Sequence, residues 1–291
     1  VTTTPGLRSR FTLAFLSAGL ITAACRIAPA FTPINPNISI RQTVPTMTGM
    51  ADLDFWKPGF HDHLQIQFTG LPVVVSSDID VYDLDLFDTD KELIRTIHKS
   101  GAHAICYLNA GAWEDWRPDA DAYPRDVIGR DYSGWPGEKW LDIRQRDKLA
   151  PILSARLDLC KEKGFDGVEP DNLDGFQNNT GFDISASDQA GFNIWLAGQA
   201  HSRGLSIGLK NDPDQMDELA HEFDFAITED CLVEGWCESA KLFIQQNKSV
   251  FAVEYTDRIT SLSPYCDLAR ELGLTPLLKH RELDGYRSTC D

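Results

Sequence analysis

Positive charge is scarce in this sequence. It has 27 Lys and Arg against 44 Asp and Glu, a formal net charge of −17. No basic stripe is present to neutralise phosphates, which excludes nucleic acid as a partner. No Gly-rich loop follows a strand pattern, so the phosphate cradle of nucleotide-binding folds is missing. The one match to the G-x-S-x-G signature of a serine nucleophile, Gly204-Leu205-Ser206-Ile207-Gly208, opens a strand pattern instead of turning from a strand into a helix, so no serine nucleophile is supported. Histidine is sparse, at seven residues, and the pair His61 and His63 precedes the first strand pattern. Metal ligands of barrel hydrolases should instead follow a strand end, so neither a metal nor a cofactor is expected. No internal repeat or low-complexity tract appears.

What is present begins with an address. Arg8 and Arg10 precede the apolar residues 11–25, and Ala28-Pro29-Ala30 follows. A basic start, a short apolar stretch and small residues at an A-x-A site read as a secretory signal. Fifteen residues are short for a membrane span, and a retained anchor is the second reading. Residues 1–30 are therefore taken as signal and 31–50, rich in Pro, Thr and Asn, as a linker. Export makes cysteines readable as disulfides. Cys231 and Cys237 bracket LVEGW closely enough for a small loop bridge, and Cys266 and Cys290 are placed to tie the C-terminal tail to the last helix. Cys106, inside the apolar AICYL, and Cys160, on an amphipathic helix pattern, read as buried thiols.

From residue 51 onward strand and helix patterns alternate. Strands are expected at 64–68, 81–86, 104–109, 167–171, 205–210, 223–228, 250–255 and 275–279. Helices are expected at 89–99, 147–163, 187–202, 214–222, 238–246 and 264–272, with Asp90 opening one and Gly101, Gly164, Gly204 and Gly273 closing others. Eight strands with helices between most of them predict a single-domain α/β protein, a (β/α)8 TIM barrel over 51–291. The first connection, 69–80, is too short and too poor in helix formers for a regular crossover.

In such barrels chemistry sits where strands end. The strand ends here carry Asp85, Asn109, Glu169, Asp171 and Asn172, then Lys210 and Asn211, Glu229 and Asp230, Glu254 and Tyr255, and Lys279. Several follow strongly apolar runs, and burying so many charges without partners would be costly. Seven polar strand ends at one mouth therefore indicate an active site rather than a solvated rim. The mouth is rich in carboxylates and amides and flanked by Tyr107, Trp113, Trp116, Trp135, Trp140 and Trp236. Paired carboxylates with aromatic platforms suit glycoside hydrolysis, in which one acid protonates the leaving oxygen and the other attacks the anomeric carbon or activates water.

The stretches CYLNAGAWEDWRPD, WPGEKWLDIR, KGFDGVEPDNLDGFQNNTGF, AHSRGLSIGLKND, FDFAITEDC and VFAVEYTD resemble, in order and spacing, glycoside hydrolase family 114 from Phe55 to Cys290. That resemblance implies a TIM barrel acting endo on α-1,4-linked galactosamine polymer, such as the exopolysaccharides of fungal and bacterial biofilms. It also implies Asp171 as nucleophile and Glu229 as general acid/base, with Glu169 a rival for the nucleophile or a support for Lys210. Glu229 would need a raised pKa, from partial burial beside Cys231 and a second carboxylate. The acidic mature chain suits a cationic aminosugar polysaccharide, with Asp85, Glu169, Asp230 and Glu254 as candidates for the ammonium groups. Deacetylated stretches should then be preferred and high salt should weaken binding. Many relatives carry Trp-Gln-Trp-Gln where this chain has Leu64-Gln65-Ile66-Gln67, which implies a lost stacking platform. The expectation is a secreted, monomeric hydrolase without a stable membrane partner; the alternative is a sugar-binding barrel without catalysis.

Overall fold

The computed structural model describes residues 55–290; the signal and linker readings, and Cys25, lie outside the described residues. Eight parallel strands follow one another: β1 Leu64–Ile66, β2 Val81–Asp85, β3 His103–Asn109, β4 Gly167–Asp171, β5 Ser206–Lys210, β6 Phe225–Glu229, β7 Val250–Tyr255 and β8 Thr275–Lys279. Each pairs with the next in chain order, so the sheet curls in one sense as a (β/α)8 fold. Residues 283–287 close the seam between β1 and β8. Leu283 O accepts from Phe68 N at 2.8 Å, and Arg287 Nε donates to Leu64 O at 2.9 Å. Ser288–Thr289 adds a short antiparallel strand to β8.

Strand alternation builds two cores. Val81, Ile105, Phe225, Ile227, Phe251, Val253 and Leu277 fill the barrel interior, while Tyr82, Leu84, Cys106, Val168, Ile207 and Leu209 face the helical layer. Gly208 is required in the interior, because a Cβ there would stand 2.3 Å from the Phe225 ring. Leu64 and Ile66 belong to the same interior cluster. The residues replacing the expected tryptophans are therefore core, and their substitution bears on packing rather than on a stacking platform. Trp56 does not compensate; it stacks on His103 at the opposite end of the barrel.

Three long helices carry the early crossovers: α1 Lys91–Ser100, α2 Arg146–Lys163 and α3 Ala186–His201. Asp90 caps α1 by accepting from Leu93 N, and Ser185 with Asp188 forms a reciprocal capping box on α3. The later crossovers shrink to short pieces at Met216–Leu219, Lys241–Gln245 and Cys266–Leu272, and no helix fills the first one. The sequence patterns at 214–222 and 238–246 were too short to resolve that contraction. An unforeseen excursion lies between β3 and α2, where Ala112–Glu114, Ile128–Asp131 and Glu138–Leu141 form a three-stranded antiparallel sheet. Gly111 anchors its root, since a Cβ there would overlap Asn172 O at 1.7 Å.

Disulfides join Cys231 to Cys237 and Cys266 to Cys290. The reading of Cys106 and Cys160 as thiols is corrected: they form a third disulfide, from the outer face of β3 to α2, with Cα atoms 6.0 Å apart. Both are fully buried, as expected, but a pairing across 54 residues leaves no local spacing signal.

At the floor of the barrel an aspartate precedes each of β2, β4 and β6. Asp80 accepts from His63 N, Asp166 from Ala104 N and Asp224 from Ile207 N, at 2.8, 2.9 and 3.0 Å. Each carboxylate thus fastens the start of one strand to its predecessor.

Candidate active site

Lys210, at the end of β5, stands at the centre of the mouth. Its Nζ lies 3.2 Å from Asp171 Oδ1, 3.3 Å from Glu169 Oε1 and 3.3 Å from Glu229 Oε2. The ammonium is buried, which alone would lower its pKa. Attraction from Asp171, Glu229 and Glu169 overcomes that and holds the pKa well above the ordinary lysine value. On one side Tyr107 OH donates to Asp171 Oδ2 at 2.9 Å, and on the other Tyr255 OH donates to Glu229 Oε1. Burial first, and then the adjoining carboxylate, raise both phenols well above their usual range, so both act as neutral donors. Asn211 completes the cradle: its Nδ2 donates to Glu229 Oε2 at 3.3 Å and its Oδ1 accepts from Glu229 N at 2.8 Å.

A local backbone device recurs at these strand ends. Asn172, Asn211 and Asp230 immediately follow Asp171, Lys210 and Glu229, and all three adopt left-handed backbone, with φ of 62°, 50° and 56°. Asn and Asp tolerate that region better than other side chains, at a strain of order 1–3 kcal/mol per residue. The sharp turn ends each strand with the preceding side chain aimed into the mouth.

Below Lys210 lies a second carboxyl pair. Asp83 and Glu169 are both fully buried, and apart from the Lys210 ion pair to Glu169 none of their four oxygens meets a donor. A shared proton resolves this. Burial, then the Glu169 charge, drives the Asp83 pKa well above the carboxylate range, so that Asp83 donates to Glu169.

Period-two alternation sorts the remaining expected residues. Tyr255 faces the mouth, so its neighbour Glu254 faces outward, where it accepts from Leu232 N at 2.8 Å and Val233 N at 3.4 Å. Asp85 is occupied by Arg117 at 2.7 Å, and Asp230 by Arg281 at 3.2 Å. Asn109 holds the root of the small sheet through Ala112 N, and Lys279 lies in the seam, donating to Asp284 O and Gln65 Oε1. His61 and His63 are exposed at the floor, far along the strands from this mouth.

The mouth opens into a cleft of about 750 Å³ that Asp85, Tyr107, Asp171, Asn172, Lys210, Asn211, Glu229 and Tyr255 line. Trp116 and Trp135, from loops that flank the strands of the small sheet, line it with half their surface exposed to solvent. Such apolar exposure beside a polar mouth marks a binding surface.

The profile of glycoside-hydrolase family GH114 matches residues 47–291, nearly all of the chain outside its first residues. The chain belongs to glycoside hydrolase family 114. A crystal structure of Aspergillus fumigatus Ega3 in complex with galactosamine superposes with a TM-score of 0.77 at 34% identity, covering 81% of this chain and 97% of that one. The glycoside hydrolase domain of PelA from Pseudomonas aeruginosa shares the fold at 16% identity and a TM-score of 0.63, over 78% and 98%. A Deinococcus radiodurans protein is 25% identical over 88% of this chain and 89% of its own length.

For this family 114 hydrolase several cleft residues escaped sequence reading. Glu138, on the small sheet, has its pKa pushed up to about 8, first by burial and then by the Asp171 charge. Asp174 is raised to about 6 by the same two causes. Arg281 lies over the Tyr255 ring, 3.7 Å from its centroid, and fixes its face. Asp88, Asp174 and Glu282 line the cleft, and none of them forms a salt bridge among the described residues. The one available signal was Asp83. In VYDLD, two aspartates at alternating positions of an apolar strand imply that both point into the barrel.

Proposed function

We propose that this protein is an endo-acting, retaining hydrolase of α-1,4-linked galactosamine polymer, with Asp171 as nucleophile and Glu229 as general acid/base. The shared ammonium carries this reading. Because Lys210 Nζ touches both carboxylates, their bonded oxygens are separated by no more than the 3.2 and 3.3 Å contacts laid end to end. That ceiling favours the ~5–5.5 Å separation of retaining enzymes over the ~6.5–9.5 Å that inversion needs to admit a water. Asp171 Oδ would bond to the anomeric carbon as Glu229 gives its proton to the departing glycosidic oxygen. Glu229 would then take a proton from water as that water displaces Asp171. Glu169 is a poorer nucleophile, because it is 1% exposed beneath Lys210 and tied to Asp83.

Galactosamine as the sugar is supported by the likeness to Ega3, solved with galactosamine bound, and by the acids of the cleft. Asp85 and Asp230 already have arginine partners, so substrate ammonium groups would meet Asp88, Asp174 and Glu282. Secretion is supported by the three disulfides and by the signal-like start of the sequence. No helix among the described residues is long and apolar enough to cross a membrane.

The test compares wild type with Glu229→Gln and Asp171→Asn on partly deacetylated polymer, with products sized by mass spectrometry. Wild type should release short oligomers cut within runs of free galactosamine. Glu229→Gln should be slowed by about 10²–10⁴-fold, the range for losing one proton-transfer group, and Asp171→Asn, which loses the nucleophile, by at least as much. Binding without cleavage by all three proteins would leave a sugar-binding barrel instead. Equal cleavage of fully acetylated polymer would remove the ammonium reading.

A further inference from the structure

The floor of the barrel, at the opposite end from the cleft, carries a convergence of ligands that the hydrolase chemistry does not use. His98 lies in the last turn of α1, His103 opens β3, and Asp166 immediately precedes β4. His98 Nε2 is 2.8 Å and His103 Nδ1 3.3 Å from Asp166 Oδ2, and the three ligating atoms all lie within 4.8 Å of one another. Ligands 2.0–2.2 Å from a tetrahedral ion stand roughly 3.4 Å apart, so the cluster needs only sub-ångström to ångström adjustment to hold one.

Hydrogen bonding alone does not account for this arrangement. Asp166 Oδ2 already accepts from Ala104 N and faces His98 Nε2, and His103 Nδ1 is buried without any hydrogen-bond partner. An imidazole nitrogen directed at a carboxylate without bonding it is left unsatisfied unless something sits between them. Trp56 stacks on the His103 ring at 4.5 Å and 17°, which fixes the ring's orientation. The C-terminal end of α1, where His98 resides, also contributes a partial negative charge that favours a cation.

We propose that His98, His103 and Asp166 form a binding site for one divalent transition-metal ion. Two imidazoles and a carboxylate select Zn²⁺ or a neighbour such as Co²⁺ over Mg²⁺ or Ca²⁺, which prefer all-oxygen shells. The His98 and His103 side chains are more than a third exposed, so the cluster lies at the protein surface, within reach of an ion from solvent. The ion takes no part in glycoside cleavage. It ties α1, β3 and β4 together at the end of the barrel where Asp166 already fastens β3 to β4.

The experiment uses the untagged full chain, stripped of metal and titrated with cobalt sulfate. The expected result is one equivalent with the visible absorption of low-coordinate Co²⁺, displaced by zinc sulfate. The melting temperature should rise by about 5–10 °C at 100 times the Kd. His98→Gln and His103→Gln should each weaken binding at least about tenfold, whereas His63→Gln, at a separate pair on the same floor, should not. An absent band with no thermal shift in wild type overturns the proposal, as does unchanged affinity in folded His98→Gln or His103→Gln protein. If those variants fail to fold, zinc-soaked wild-type crystals decide. An anomalous peak among His98, His103 and Asp166 supports the site, and a peak elsewhere or none overturns it.

Discussion

Lys210→Met tests the central electrostatic claim directly. The methionine keeps the length and packing of the stem and deletes the ammonium on which Glu169, Asp171 and Glu229 converge. Removing one partner of a buried ion pair costs about 3–5 kcal/mol, because the other charge stays buried without compensation. The Asp171 and Glu229 side chains are 21% and 28% exposed and regain water, so most of the penalty falls on Glu169, whose side chain is only 2% exposed. That places the expected loss near the lower end, about 3 kcal/mol, or roughly 6–12 °C in melting temperature for a domain of this size. The pH dependence carries the sign. In wild type the raised Lys210 pKa means that its stabilisation is fully present below the unfolded lysine value, about 10.4, so pH 5 to 8 lies within its window. In the variant the folded Glu169 pKa, already raised by burial, rises further. A carboxyl with a raised folded pKa gives stability that is present below the unfolded value, about 4.3, and lost as pH rises toward the folded one. The deficit against wild type should therefore be small at pH 5 and largest at pH 8, as read by urea unfolding. A loss under about 1 kcal/mol at pH 8, or one that does not change with pH, would refute the account of Lys210 as counter-ion to a buried carboxylate cluster.

Two other substitutions probe neighbouring groups. Asp83→Asn should be tolerated within about 1 kcal/mol, because an amide can donate to Glu169 as the protonated acid does, whereas Asp83→Leu should cost about 2–3 kcal/mol by removing that donor and leaving Glu169 with Lys210 alone. Equal losses in urea melts for the two would argue against the shared proton. Glu138→Gln should gain stability relative to wild type between pH 5 and pH 8.5, by on the order of 1–2 kcal/mol. Wild type gives up stability as pH rises from the unfolded glutamate value toward about 8, and the amide does not. A difference that shrinks with pH would show that Glu138 is ionised at neutral pH.

Much of the site was readable because polar residues at the ends of apolar strand runs are costly to bury for any structural reason alone. Asp171, Lys210 and Glu229 each end such a run, and the barrel brings them within one hydrogen-bond shell. Reading every polar strand end as a mouth residue went too far where the twofold period forbids it, since Glu254 and Tyr255 are adjacent and only one can face inward. The small sheet was not readable. Its strands, of three and four residues, are too short for alternation to register; they and their loops bring Glu138, Trp116 and Trp135 to the cleft from a stretch punctuated by Pro, Gly and Asp. The Cys106–Cys160 bridge was hidden for the related reason that it depends on which face of β3 meets α2. Asp83 was visible in VYDLD, but its partner Glu169 comes from two strands away.

The aspartates at the floor have a bearing on the opposite end of the molecule. Along β4 the distance from Asp166 to Asp171 is five residues, roughly 15–17 Å at ~3.3 Å per residue. A slip of one residue in strand pairing would turn Asp171, Lys210 or Glu229 from the lumen to the helical layer and bring an apolar neighbour inward. Asp166 fixes β4 against β3, and Asp224 fixes β6 against β5. These are the strands that deliver Asp171, Lys210 and Glu229. The phase of these three side chains is thus locked from beneath, so loss of either carboxylate at the floor would appear as misalignment in the mouth before it appeared as unfolding.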